Sequence, residues 1–312
     1  MRVVALVPGG IEEQILFFAT IDDLKRNYPQ AQIDVVVEPQ SKAAYRVSKS
    51  VHEVFTFDYK DRNSLADWGN LVGTIRDREY DVAITTKQSW FTGLLLWLTG
   101  IPTRIGYQGN GAVFLTHPIP LNPSKYLAAM YHDLLQPLNI KTPCPELAVN
   151  ILKSDIEWAR NEQQRLGVNE TGFILVYPGS SKSSSDIIYP VENWQEIIQD
   201  CQSKQPDLPV VLINDQQIGR SLLDSAVNIK LTSPDNIGKL TSMIAGASLM
   251  LTVEGVPLQL SVAVQTYTIA LLGSTEPAKI LPKSDKFLAI KSPTSKTADI
   301  LPKTVLEKIW GM

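Results

Sequence analysis

Short apolar runs alternate with helix-length amphipathic segments along all 312 residues, and this alternation restricts the fold more than any other feature of the chain. The first run, Val3-Val4-Ala5-Leu6-Val7, is cut off by Pro8-Gly9-Gly10. A helix to about Tyr28 follows, with Phe17, Ile21, Leu24 and Tyr28 at helical spacing and Pro29 as its stop. Strands are predicted over 33–37, 54–57 and 82–85, and helices over 64–77 and 90–99. The second half repeats the pattern, with strands over 173–177, 210–214, 249–252 and 268–272. Its helices fall over 154–166, 191–201, 237–247, 258–264 and 303–310. Runs such as 173–177 are apolar without alternation, as in strands covered on both faces. Parallel sheets flanked by helices on both sides are therefore expected, the doubly wound α/β class.

A chain of this length suits two domains of about 150 residues each. The proline-bearing segment 141–150, with Pro143 and Pro145, is the predicted hinge, giving domains over 1–150 and 151–312. The last helix is a candidate to pack back on the first domain. A net charge of −3 offers nucleic acid no electrostatic attraction. Cys144 and Cys201 fit neither a disulfide framework nor a metal site, and His52, His117 and His132 are scattered, so no metal or cofactor is expected. The opening apolar run is too short for a signal peptide, and the run 94–98 falls far short of the ~20 residues of a spanning helix. A soluble, cytoplasmic chain is expected, with peripheral contact at the inner face of a membrane left open. Trp90, Trp97, Trp194 and Trp310 occupy apolar helical positions and read as core, while His132 reads as surface or cleft wall.

Open α/β sheets bind ligands beyond the carboxyl ends of their strands. The turns there carry the candidate chemistry. They include Gly9-Gly10 with Glu12 and Glu13, the stretch Pro178-Gly179-Ser180-Ser181-Lys182 opening a serine tract, and Glu254-Gly255-Val256-Pro257.

Several motifs, in order, resemble those of glycosyltransferase family 9, the inverting transferases that include ADP-heptose–lipopolysaccharide heptosyltransferases. Gly10-Ile11-Glu12-Glu13-Gln14-Ile15-Leu16, with Leu24-Lys25-Arg26-Asn27-Tyr28-Pro29, is similar to the family's Gly-Asp loop and first helix. Tyr80-Asp81-Val82-Ala83-Ile84 with Arg104-Ile105-Gly106-Tyr107 looks like its second signature. Tyr177-Pro178-Gly179-Ser180-Ser181 resembles its His-Pro-Gly-Ala-Ser turn. Thr252-Val253-Glu254-Gly255-Val256-Pro257-Leu258-Gln259-Leu260 stands where the family has Thr-Asn-Asp-Ser-Gly-Pro-Met-His-Leu. Leu272-Gly273-Ser274-Thr275-Glu276-Pro277 matches its Phe-Gly-Pro-Thr-Asp-Pro turn. The resemblance implies the GT-B architecture, with two Rossmann-like domains facing a cleft. It also implies an ADP-type sugar donor on the second domain and a saccharide or glycolipid acceptor on the first.

Inverting transfer needs a carboxylate to take the acceptor proton and donors to stabilise the departing diphosphate. By resemblance Glu13 stands at the base position, one methylene longer than the family's aspartate, and would have to fold back. Carboxylates in a first helical turn also simply complement the helix dipole, which is an equal reading of Glu13 and the better one for Glu12. Gly179, Ser180, Ser181, Lys182, Glu254, Gly255, Val256, Pro257 and Gln259 would surround the donor. The family's lysine before its Trp-Pro pair is absent from Ile187-Ile188-Tyr189-Pro190; Lys182 could substitute, or lie solvated. Glu254, Val256 and Gln259 replace an aspartate, a glycine and a histidine. Substitution at the base, lysine, aspartate and histidine positions admits a second class of function, a transferase-like scaffold that binds a nucleotide or a protein. A nucleotide-sugar epimerase fits less well, because no Gly-x-Gly-x-x-Gly turn follows a strand.

Overall fold

Strand β1 (Arg2–Val7) is buried from Val3 onward because it is paired on both sides, parallel to β2 (Gln32–Val37) and to β4 (Val82–Thr85). The computed structural model describes residues 1–59, 64–179, 187–213 and 229–311. They form two compact units, Met1–Asn150 and Ile151–Met312. In the first, β3 (Glu53–Thr56), β5 (Thr103–Tyr107) and β6 (His117–Ile119) complete a six-stranded sheet of order β3-β2-β1-β4-β5-β6. Every pairing in it is parallel. The chain starts in mid-sheet, builds outward to β3, then returns to the other side of β1. The reversal lies between β1 and β4.

The second unit repeats this plan. Strands β7 (Ile174–Tyr177), β8 (Val210–Ile213), β9 (Lys230–Thr232), β10 (Leu249–Val253), β11 (Thr268–Leu272) and β12 (Phe287–Lys291) lie in the order β12-β11-β10-β7-β8-β9. All are parallel, and the reversal falls between β7 and β10. Two doubly wound parallel sheets in one chain constitute the GT-B architecture.

Helices cover the sheets as the strand alternation requires. Val4, Leu6, Val36 and Ala83 pack against Leu71 and Ile75 of α2 (Leu65–Arg76) and Leu95 and Leu96 of α3 (Trp90–Leu98). Ser64 and Asp67 form a reciprocal capping box that starts α2. On the other face, α1 (Ile11–Asn27) meets α4 (Leu127–His132) through an edge-on Phe17–Tyr131 pair at 5.8 Å. In the second unit α5 (Lys153–Leu166) packs on α7 (Ile237–Ala245). There α6 (Val191–Lys204) places Trp194, Ile197 and Ile198 against Val176, Leu212 and Val253. The last helix, α9 (Pro302–Trp310), lays Val305 and Ile309 on the same cluster. Trp310 Nε1 donates to Asp200 Oδ1 of α6 at 2.7 Å.

Two sequence expectations are corrected. Trp194 is fully buried, but Trp90 and Trp97 are about half exposed, because the inward face of α3 is already filled by Thr92, Gly93, Leu95 and Leu96. His132 is no surface residue: it is buried, with Nε2 2.9 Å from Asp23 Oδ2 of α1. Thr142 Oγ1 donates to the same carboxylate oxygen at 2.9 Å, so one buried charge joins α1, α4 and the segment beyond. No helix among the described residues is long and apolar enough to cross a membrane.

Candidate functional site

In the first unit the reversal point presents the turn Gly9-Gly10 and the first turn of α1. Gly9 takes φ +131°, a region that L side chains avoid. A Cβ there would lie 3.0 Å from Glu13 Cγ, and a Cβ on Gly10 would lie 3.3 Å from Glu13 Oε2. Glu13 therefore folds back over the turn. Two buried groups hold the turn in place. Gln14 Nε2 donates to Val7 O at 2.9 Å, and Tyr45 Oη donates to Gln14 Oε1 at 2.7 Å. Ser41 Oγ donates to Gly9 O at 2.7 Å. The Glu13 carboxylate itself accepts no hydrogen bond among the described residues. Burial pushes the Tyr131 hydroxyl well above the ordinary tyrosine range, and the charge of Glu13 adds to the effect.

In the second unit, Thr252 lies beside Tyr177 in the β10–β7 register, so the turns that follow these strands are neighbours. Gly179, at φ +108°, would place a Cβ 3.3 Å from Val253 Cγ2. Gly255, at φ +153°, is the N-cap of α8 (Val256–Ala263) and carries no side-chain cap. Pro257 has no N–H, and Leu258 N–H is bonded to Gly255 O at 3.0 Å. That leaves the Gly255 and Val256 amides as the donors this helix start can offer an anion. Glu254 accepts a hydrogen bond from Thr275 Oγ1, which follows β11. Burial raises its carboxyl pKa, and the Thr275 bond partly offsets that rise.

Gln259 is buried, and its Nε2 donates to Ile280 O at 3.3 Å. Its Oε1 is buried without a partner among the described residues. A free acceptor suits a hydroxyl or amino group and repels a phosphate oxygen, which narrows the role available to this residue. The structure thus gathers Gly179, Glu254, Gly255, Val256, Pro257 and Gln259 around adjacent strand ends, and adds Thr275 to them. Ser180, Ser181 and Lys182 lie outside the described residues.

Sequence spacing concealed one further cluster. Ligand atoms of Asp34, His52 and Glu53 lie within 4.8 Å of one another. The register pairs Asp34 with Glu53. Tyr80 Oη donates to Asp34 at 2.6 Å and Arg78 bonds Glu53 at 2.6 Å. With both carboxylates engaged, the cluster is a hydrogen-bonded ionic network near the amino end of β2.

Twin parallel sheets, each with glycine turns and polar groups at its reversal point, define a protein of the GT-B fold class. The chain belongs to glycosyltransferase family 9 (heptosyltransferase), whose sequence model matches residues 68–309. Lipopolysaccharide heptosyltransferase 3 of Escherichia coli K12 is 24% identical over 291 residues, covering 85% of this chain and 80% of that one. The photosynthetic NDH subunit of subcomplex B 1 from Arabidopsis thaliana chloroplasts is 23% identical over 329 residues, covering 96% of this chain and 71% of the relative. Among solved structures, E. coli heptosyltransferase WaaC with ADP-2-deoxy-2-fluoro heptose superposes with a TM-score of 0.78 at 14% identity. That match covers 100% of this chain and 99% of WaaC.

Proposed function

We propose that this chain is an inverting glycosyltransferase moving a sugar from an ADP-type donor to a saccharide or glycolipid acceptor, with heptose the first candidate sugar. The observation that carries this reading is the Glu13 carboxylate, folded over the Gly9-Gly10 turn at the reversal point of the first sheet. In the proposed reaction the acceptor hydroxyl attacks the anomeric carbon opposite the diphosphate, and the sugar–phosphate C–O bond breaks. The acceptor proton passes to Glu13, and the electron pair leaves on the phosphate oxygen. The Gly255 and Val256 amides, with the Gly179 turn and Ser180, Ser181 and Lys182, receive the diphosphate. Gln259 Oε1 accepts from a hydroxyl or amino group of the nucleoside. Support for the donor class comes from family membership and from the ADP-heptose analogue named with WaaC. A glycolipid acceptor places the reaction at the inner face of a membrane.

Calorimetric titration with ADP, paired with a sugar-transfer assay, tests the reading. Glu13→Gln should leave ADP affinity within about twofold and lower turnover by about 10²–10⁴-fold. A folded protein that binds no nucleoside diphosphate would sink the proposal. One observation favours a second reading, a non-catalytic scaffold that binds a nucleotide or a protein. The chain aligns over 96% of its length with a protein named as a subunit of a complex. Substitutions at four of the family's site positions point the same way. On that reading ADP or a protein partner binds, nothing turns over, and Glu13→Ala changes no measurement.

A further inference from the structure

A helix that is apolar on every side belongs inside a protein or against a bilayer. The nine residues of α3, Trp-Phe-Thr-Gly-Leu-Leu-Leu-Trp-Leu, include no charge. Leu95 and Leu96 fill the core, yet Trp90 is 45% exposed, Phe91 65%, Trp97 53% and Leu98 48%. Neighbouring elements extend this surface. Leu65 at the start of α2 is 92% exposed, and Val113, in the short turn beside α3, is 84% exposed. Two glycines bring that turn against the helix. A Cβ on Gly93 would lie 2.5 Å from Gly111 O, and the ring of Phe114 sits 5.4 Å from that of Trp90. Six of the ten large hydrophobic side chains exposed among the described residues thus gather on one face of the first unit. Patches of this kind mark interaction surfaces.

Between α2 and α3 runs a groove of about 320 Å³, lined by Leu65, Trp68, Val72, Phe91, Leu94 and Leu98. Its one charged lining residue among the described residues is Arg76. Asp67 is turned the other way and lines the groove between α2 and β3. Arg104 Nε donates to Phe114 O at 2.8 Å. Arg76 and Arg104 have no carboxylate partner among the described residues. The patch is therefore apolar and aromatic within, with cations near its margin.

We infer that this face docks on a bilayer surface bearing anionic headgroups, with Trp90 and Trp97 at the headgroup boundary and the α2–α3 groove open to an acyl chain. Tryptophan rings settle at such boundaries, and lysine and arginine near an anionic surface add attraction. A second copy fits less well, because a two-fold contact would set the same cations against one another. The inference rests on the glycolipid-acceptor reading for its purpose. Its test contains neither nucleotide nor acceptor sugar, so the two can fail separately.

Flotation of the full chain with vesicles of phosphatidylcholine alone, or with about 30% phosphatidylglycerol, decides the matter. We expect at least about tenfold more partitioning to the anionic vesicles, a blue shift of tryptophan emission, and loss of most binding at ~0.5 M salt. The double variant F91E/W97E should lose about tenfold or more. R76E should lose about fivefold on anionic vesicles only. Y267E, an exposed aromatic of the second unit, should float like wild type. L65E, at the most exposed site, repeats the test if the double variant unfolds on a thermal melt. Absent flotation of wild type, or undiminished flotation of folded F91E/W97E and L65E, would overturn the inference. So would a dimer in sedimentation velocity that F91E/W97E dissociates while vesicle binding is nil.

Discussion

Thr275 Oγ1 donates to Glu254 Oε1 at 2.9 Å, so the turn after β11 holds the carboxylate that follows β10. This bond favours the ionised carboxyl, while burial disfavours it more strongly, and the net result is a raised pKa. The residue thus sits beside a helix start that can receive an anion, with a charge of the wrong sign for a diphosphate.

Acidification should therefore strengthen ADP binding as Glu254 takes up a proton. Glu254→Gln should bind ADP at least as tightly as wild type at neutral pH and lose the pH slope. The stability sign follows from linkage: with the folded pKa raised, ionisation costs stability. Unfolding free energy should fall as pH rises from the ordinary glutamate range to the raised value, then level off. Calorimetry across pH checks both; a slope that survives in the glutamine variant would refute the assignment.

Gly9→Ala places a Cβ 3.0–3.1 Å from Glu13 atoms at φ +131°. We expect a stability loss of about 1–2 kcal/mol from the backbone alone and a displaced Glu13. On the proposed reading, transfer should fall while ADP affinity, assigned there to the other unit, stays constant.

Gln14→Leu removes the donor to Val7 O and leaves the buried Tyr45 hydroxyl without its acceptor. A loss of about 1–3 kcal/mol in denaturant unfolding is expected. Transfer should fall beyond what the unfolded fraction explains, because the turn under Glu13 loses its anchor.

Burial pushes the Asp23 carboxyl up, but hydrogen bonds from His132 and Thr142 and the charges of His132 and Arg26 together outweigh it and hold the pKa below the ordinary aspartate value. With the folded pKa depressed, its contribution is complete above the ordinary aspartate value. It is lost as pH falls through the depressed one. Asp23→Asn should flatten this acid limb of the stability profile. His132→Ala should cost about 1–3 kcal/mol at neutral pH, because Asp23 keeps Thr142 and Arg26 but loses its buried imidazole partner.

Much of the sheet architecture was legible in the residues. The runs at β1, β7, β10 and β11 are largely apolar because each lies inside a parallel sheet covered on both faces; the buried Thr252 and Thr268 are admitted there with their hydroxyls bonded to backbone carbonyls. The strands that escaped sequence reading are short or at the margins. His117-Pro118-Ile119 of β6 and Lys230-Leu231-Thr232 of β9 are three-residue edges, paired on one side, where polar residues and proline are tolerated. The turn residues Gly9, Gly10, Gly179 and Gly255 were visible as glycines after strands. The two that support Glu13 from a distance, Ser41 and Tyr45, carried no local signal.

By itself the sequence determined what repeats over a few residues: strand and helix alternation, the places where the chain must turn, and the carboxylates in those turns. Backbone sterics and burial act locally, so their imprint is local. Only the tertiary structure decided that His132 meets Asp23 across 109 positions, and that Thr275 reaches Glu254 across 21. It also decided that half of an apolar helix faces outward, because which side of α3 the core accepts depends on strands and helices far along the chain.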